Sequence, residues 1–348
     1  LDYDRAWKDT VGNVVGLIAG GNGHSVMFNA HLDHVAPGDR SLWPYPPYEG
    51  HIGEDHIWGR GASDVKGALA AQVYALGALK EAGLEPAGDC YLAGVVMEEI
   101  GGLGTRKLIE TVRPDYAILG EATENNLARG HRGRVELVAR ALGRSVHASV
   151  PHRGVNPHYT MARFLLGLQE IEMIEVEPFG PATVAPTLSG TDQTSSNVTP
   201  RKVYCHLDWR SLPGENTNEI LAKLERLMED SLIAGGSGVV ELFSRRGRTY
   251  TGYTETYPVV FPPFELSVDH PLVTDAQTIL TQALDRDITV DTWNFTTDGG
   301  HLMAEGIPTI GFAPGFEAYC HTVQDRVSID LLLEAMVGYM ALALELGT

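Results

Sequence analysis

CYLAGVVMEEIGGLG, residues 90–104, sets an apolar run against two adjacent glutamates and two glycines. Residues 91–97 read as a buried strand, which places Glu98 and Glu99 at its C-terminal tip. A buried charge without a partner is costly, and neighbouring like charges raise each other's pKa. Acids gathered at a strand end fit an open α/β sheet, whose ligands collect beyond the carboxyl ends of its strands.

The flanking segments repeat this arrangement. NVVGLIAG (13–20) and SVMFNAHLD (25–33) read as strands, the second ending in His31 and Asp33. VKGALAAQVYALGALKEAG (65–83) is Ala/Leu-rich at helical spacing and stops at Gly; a helix over 102–112 and the strand DYAILGE (115–121) follow. Strands alternating with helices predict an α/β fold with a largely parallel sheet.

The pattern changes between about 130 and 250. There RVELVARALG, ATVAPTLSG, RKVYCHLDWRSLP and GVVELFSR read as strands, with helices over NPHYTMARFLLGLQEIEMI and TNEILAKLERLMEDSLI. The order β-α-β-β-α-β is a ferredoxin-like α+β unit. After a Pro- and aromatic-rich connector (257–271) the α/β pattern resumes with a helix over 271–284, a strand over 307–312 and a helix over 328–346. The expected organisation is an α/β domain in two parts, 1–128 and 259–348, with an α+β domain inserted over 129–258.

The 348 residues, 43% hydrophobic and 20% charged, have the composition of a globular protein of one or two domains. A net charge of −19 argues against nucleic acid or an anionic membrane as partner. The nearest approach to a membrane span, 331–346, is interrupted by Glu334 and Glu345. Cys90, Cys205 and Cys320 form no CxxC pair, and the opening LDYDRAWKDTVGNVVG has no signal-peptide profile. Free thiols and a cytoplasmic setting are therefore expected.

Besides His31 and Glu99, the segments that end strands or open helices present Asp64 in GRGASDVKG (59–67), Glu121 in AILGEAT (117–123) and His321 in FEAYCHTVQD (316–325). Two imidazoles and three carboxylates suit Zn²⁺, with Co²⁺ or Mn²⁺ as substitutes. The charges favour two ions: their four positive charges are matched by Asp64, Glu99, Glu121 and a hydroxide, which suits a buried site. GRGASDVKG fits neither phosphate-loop pattern, GxxxxGK[ST] or GxGxxG. His31 and Asp33 share one face of a strand, so Asp33 is suited to orient the histidine. By the same period Glu98 and Glu99 point to opposite sides and should do different jobs.

In these segments the sequence resembles the M20 family of metallopeptidases and deacylases, which includes carboxypeptidase G, acetylornithine deacetylase, aminoacylase and succinyl-diaminopimelate desuccinylase. HLDHV, GRGASDVKGALAA, MEEIGGLGT, LGEAT, GRSVHASVPHRGVNP, DWRSLPGE, TDGGHL, GIPTIGFAPG and CHTVQDRVSI match it, in family order, across nearly the whole chain. TTDGGHL departs from the desuccinylase version, and Cys320 beside His321 is unusual.

The resemblance implies a di-zinc exopeptidase-type sheet flanked by helices, with the inserted domain as a lid through which the chain forms a homodimer. It implies one zinc on His31, Asp64 and Glu121, another on Asp64, Glu99 and His321, Glu98 as general base and Asp33 as the carboxylate that orients His31. His147 would reach the active site of a partner subunit, while Arg210, Asn197 and Arg132 would hold substrate. The expected activity is hydrolysis of an amide beside a carboxylate, in an N-acyl amino acid or a short peptide. Two other expectations differ in kind: a two-zinc aminopeptidase, against which the inserted lid argues, and a non-catalytic ligand-binding protein, against which the complete ligand set argues.

Overall fold

Alternating apolar runs build two units in the computed structural model, which describes residues 1–347. The first unit comprises Leu1–His131, Arg248–Thr254 and residues 264–347; the second comprises Arg132–Gly247 and Glu255–Pro263.

Four parallel strands form the centre of a nine-stranded mixed sheet in the first unit, in the order Cys90–Val95, Val26–His31, Tyr116–Leu119, Thr309–Gly311. Every residue of Val26–His31 is buried, as befits a parallel strand covered on both faces. On one face Phe28 and Ile118 pack with Leu76 and Leu79 of helix Gly67–Glu81, Leu280 of helix Pro271–Leu284, and Tyr339 and Leu342 of helix Ile329–Glu345. On the other, Met27 and Leu119 pack with Leu108, Ile109 and Leu302. Because the four strands run the same way, the segments after His31, Val95, Leu119 and Gly311 all leave from one edge of the sheet. Among the described residues, no helix is long and apolar enough to cross a membrane.

The loop after Tyr116–Leu119 is fastened to the last helix. Asn125, left-handed at φ 56°, donates to the Leu331 carbonyl at 2.8 Å and to Glu334 Oε2 at 2.7 Å. Arg286 donates to Glu334 Oε1 at 2.7 Å and to the Asn125 carbonyl at 2.8 Å. Burial pushes the Glu334 carboxyl up, but the hydrogen bonds from Arg286 and Asn125 hold it below its ordinary value. A depressed carboxyl stabilises the fold above its unfolded pKa of about 4.3, and that contribution is lost as pH falls through the folded value. Glu334→Gln is therefore expected to cost up to about 1 kcal/mol at pH 7, the pair being partly exposed and screened. Urea denaturation at pH 7 and pH 4 should show the gap to wild type shrinking at the lower pH.

The second unit has a five-stranded antiparallel sheet, in which Thr183–Thr191, Lys202–Arg210, Arg134–Leu142 and Ser237–Leu242 are neighbours in that order and Val260–Phe261 also pairs with Arg134–Leu142. Alternate residues of Lys202–Arg210 are buried, the period of a strand with one covered face. Helices Pro157–Leu168 and Thr217–Asp230 cover it, with Phe164, Leu168, Ile220, Leu224 and Met228 against Leu207 and Trp209. The chain order β-α-β-β-α-β with this strand order is the ferredoxin-like arrangement.

Two expectations change. The breaks at 128/129 and 258/259 do not coincide with the unit boundaries: strand Leu127–His131 pairs within the first unit's sheet, and Tyr250 returns to that unit by donating to the Gly12 carbonyl at 2.7 Å. The strand expected over 91–97 stops at Val95, because Met97 adopts left-handed φ 61° and turns the chain.

Candidate metal centre

That turn changes the argument about the paired glutamates. Glu98 and Glu99 lie in a tight turn rather than on an extended strand, with Gly101 N donating to the Glu98 carbonyl at 3.0 Å and Gly102 N to the Met97 carbonyl at 2.9 Å. Both are anchored from the neighbouring strand end, since their amides donate to Asp33 Oδ1 and Oδ2 at 3.2 Å each. Gly102 completes the turn at φ +67°, where a Cβ would stand 2.5 Å from Asp298 Oδ1 and from the His301 ring. Gly102→Ala is accordingly expected to destabilise the chain by about 1–3 kcal/mol, the cost of overpacking, measurable by chemical denaturation.

The five expected ligands come together as two triads, His31, Asp64, Glu121 and Asp64, Glu99, His321, with the donor atoms of each within 4.8 Å of one another. Asp64 is the shared member: Oδ1 lies 2.9 Å from His31 Nε2 and Oδ2 lies 2.9 Å from His321 Nε2. His321 Nε2 is also 3.0 Å from Glu99 Oε2, and His31 Nε2 is 3.8 Å from Glu121 Oε1. In a tetrahedral site with bonds of about 2.1 Å, donor atoms stand about 3.4 Å apart. The observed distances bracket that value, so the donor set fits divalent-metal coordination, with Asp64 common to both triads.

Electrostatics agree with the geometry. Burial disfavours an imidazolium at His31, but the Asp64 hydrogen bond and the charges of Glu121 and Glu98 hold its pKa well above the ordinary value. Hydrogen bonds that His321 donates to Asp64 and Glu99 raise its pKa to about 10. Burial, then the charges of Asp64 and Asp298, lifts the Glu121 carboxyl to about 8 even though His31 opposes it. Burial and Glu121 push Glu98 well above the carboxylate range. Crowding of acids raises these values together, and a divalent ion held there would compete with protons for the same atoms.

Asp33 is placed differently from expectation. The His31 ring is held by the main-chain carbonyl of Asp33, which accepts from Nδ1 at 3.0 Å, whereas the Asp33 carboxylate is 3.9 Å from that nitrogen and accepts the two glutamate amides instead. A carbonyl only accepts, so Nδ1 carries the hydrogen and Nε2 faces the ligand side. Glu98, 7% exposed, lies in neither triad. The Cys320 thiol donates to the Phe316 carbonyl at 3.5 Å and belongs to neither triad.

The remaining expected site residues belong to the second unit. His147 and Asn197 are exposed neighbours there: Ala148 N donates to the Asn197 carbonyl at 2.8 Å, and His147 Nδ1 meets Ser149 Oγ at 2.7 Å. Arg210 is held by Asp208 at 2.6 Å, beside Arg134, which donates to the same carboxylate at 2.7 Å. Arg132 donates to the Pro181 carbonyl.

Sequence reasoning gave no role to a buried chain behind the centre. Asn29 donates to Thr105 Oγ1 at 3.1 Å, and Thr105 donates to Asp298 Oδ2 at 2.5 Å. It ties the strand that ends in His31 to the helix that follows the Glu98–Glu99 turn. The segment TDGGHL, which contains Asp298, was legible as a match; that Asp298 reaches Thr105 was not, because the two are remote in sequence.

A model of peptidase family M20/M25/M40 matches residues 27–345. The Escherichia coli K12 protein called "Uncharacterized protein YgeY" is 31% identical over 352 aligned residues, covering 99% of this chain and 86% of that protein. An acetylornithine deacetylase of Aliivibrio salmonicida is 28% identical over 92% of this chain and 80% of its own length. Among solved structures, aminopeptidase PepT from Bacillus cereus superposes with a TM-score of 0.76 over 97% of this chain and 88% of its own, at 19% identity. An aminopeptidase therefore shares a fold that includes the inserted unit. The presence of that unit does not argue against aminopeptidase activity, contrary to the expectation from sequence.

Proposed function

The chain belongs to peptidase family M20/M25/M40 and is a metallohydrolase, and on that premise we propose that it hydrolyses an amide bond next to a free carboxylate, in an N-acyl amino acid or a short peptide, at a two-zinc centre. One observation carries this reading: two ligand triads share Asp64, and Glu98 is buried beside them without belonging to either. His31, Asp64 and Glu121 would hold one ion, and Asp64, Glu99 and His321 the other, with Co²⁺ or Mn²⁺ as substitutes. When bound, such ions acidify a water and polarise a carbonyl.

Glu98 takes a proton from the water that adds to the substrate carbonyl carbon. As the C–N bond breaks it delivers that proton to the amine nitrogen, leaving a carboxylic acid and an amine. Burial suits it to this task, since a shuttle is most effective with a pKa near the working pH. Asp33 holds the Glu98 and Glu99 amides and, through its carbonyl, the His31 ring, so one residue fixes three members of the site.

From the second unit we assign His147 to the scissile carbonyl in the site of a second copy of the chain, and Arg210, Asn197 and Arg132 to the substrate carboxylate or backbone. His147 is exposed, and Thr183–Thr191 is a largely exposed edge strand, which supports a homodimer formed through this unit. Three free cysteines support a cytoplasmic setting. The acetylornithine deacetylase relative supports an N-acyl amino acid as substrate.

The test is a zinc-reconstituted assay of amine release from N-acetyl amino acids, dipeptides and N-carbamoyl amino acids, each beside its C-terminal amide. Turnover of acids with loss of rate on amidation is expected. Cleavage of free-amine aminoacyl amides alone would favour the aminopeptidase reading, for which the likeness in fold to PepT speaks.

A further inference from the structure

The turn that bears Asp64 and the loop that bears His321 are far apart in the chain, yet one carboxylate joins them. Asp325 is fully buried and accepts from Arg60 Nη1 at 3.0 Å, from Gly61 N at 2.7 Å and from Ser63 N at 2.9 Å. Its own carbonyl accepts from Gly59 N at 3.1 Å. Ser63 adds a second fastening, donating to the Arg326 carbonyl at 2.6 Å and accepting from Phe316 N at 3.2 Å. The Arg60 guanidinium is buried over Trp43, 4.9 Å from the ring centroid.

These bonds address the main chain just ahead of Asp64, at Gly59, Gly61 and Ser63, and touch no ligand atom. We propose that Asp325 is a positioning residue of the metal centre: by accepting the Gly61 and Ser63 amides it sets Asp64 against His321 at the spacing a pair of ions requires. The inference rests on the two-metal reading above. Its force comes from tolerance, because metal–ligand distances hold to within about 0.2 Å, so a small displacement of the turn is felt at the ions. An asparagine in place of Asp325 directs an amide N–H at one of the present donors and leaves a buried group unsatisfied. Arg60, by contrast, supplies charge compensation and addresses neither amide.

The experiment titrates Co²⁺ into the metal-free chain as wild type, Asp325→Asn and Arg60→Met, following heat and the visible d–d absorption, with thermal melts of each metal-free protein. Asp325→Asn is expected to weaken at least one of two Co²⁺ sites by about 10–100-fold, the range for residues that support ligands, and to alter the absorption band. Arg60→Met is expected to lower the melting temperature while leaving Co²⁺ affinities and spectrum unchanged. Wild-type affinities and spectrum in Asp325→Asn would overturn the inference. So would an equal loss in Arg60→Met, which would make the effect one of general stability. If Asp325→Asn does not fold, Asp325→Glu serves: it keeps the charge but displaces the carboxylate from the Gly61 and Ser63 amides and should weaken Co²⁺ several-fold, and wild-type binding there would overturn the proposal. A wild-type chain that takes up no Co²⁺ refutes the metal reading itself, whereas two ions bound equally by wild type and Asp325→Asn refute only the role of Asp325.

Discussion

Glu98→Gln is expected to bind the same two metal ions as the wild-type chain and to lose about 10²–10⁴-fold in kcat, the range for removal of a general acid–base. The substitution keeps the shape of the side chain and its burial but removes the capacity to accept a proton. Glu98 lies outside both triads and is 7% exposed, so its loss should leave the ligands in place. Its backbone amide is held by Asp33, and the exchange leaves that bond intact. Metal content per chain and steady-state kinetics measured on one preparation separate the two effects. Full activity would remove Glu98 from the mechanism, and loss of metal would make it a ligand.

Asp64→Ala should act the other way and deplete both sites together. Its two oxygens lie 2.9 Å from His31 and 2.9 Å from His321, so it is the one residue common to the two triads. Affinity for both ions is expected to fall by more than about 100-fold, beyond what a supporting residue costs when removed, with activity falling in proportion. His321→Ala provides the contrast, since it takes a donor from one triad only. Retention of one tightly bound ion in Asp64→Ala would show that the two sites do not share this carboxylate.

Much of this was legible in the sequence where a single local pattern decides the outcome. The apolar runs around Phe28, Leu92 and Ile118 reveal the parallel strands because such strands are buried on both faces. The alternation in Lys202–Arg210 reveals a half-covered sheet. The five residues of the two triads stand out in the sequence because each is a polar residue that ends a strand or opens a helix in a run otherwise apolar. Short mixed strands such as Leu127–His131 escaped, since Arg129, Gly130 and His131 carry no strand periodicity and only sheet pairing defines them.

The side-chain geometry of the site was less accessible. Opposite pointing of Glu98 and Glu99 was inferred from an extended chain, but the left-handed backbone at Met97 replaces the strand by a turn; their separate placement survives for a different reason. Asp33 was rightly placed beside His31, yet its carboxylate serves the glutamate amides while its carbonyl serves the ring, a division that residue spacing does not contain. Asp298 with Thr105, and Asp325 with Gly61 and Ser63, are joined across long stretches of chain, and only the folded backbone brings them together.

Hydrolysis of an amide beside a carboxylate is proposed to depend on two metal ions, which the triads that share Asp64 would hold. Its most direct test adds zinc stepwise to the metal-free chain while amine release from N-acyl amino acids and dipeptides is measured against bound zinc per chain. The predicted result is two ions per chain at saturation, with hydrolysis that rises as they bind and disappears on chelation. Full activity in the metal-free chain, or two bound ions with no hydrolysis of any such amide, would contradict it.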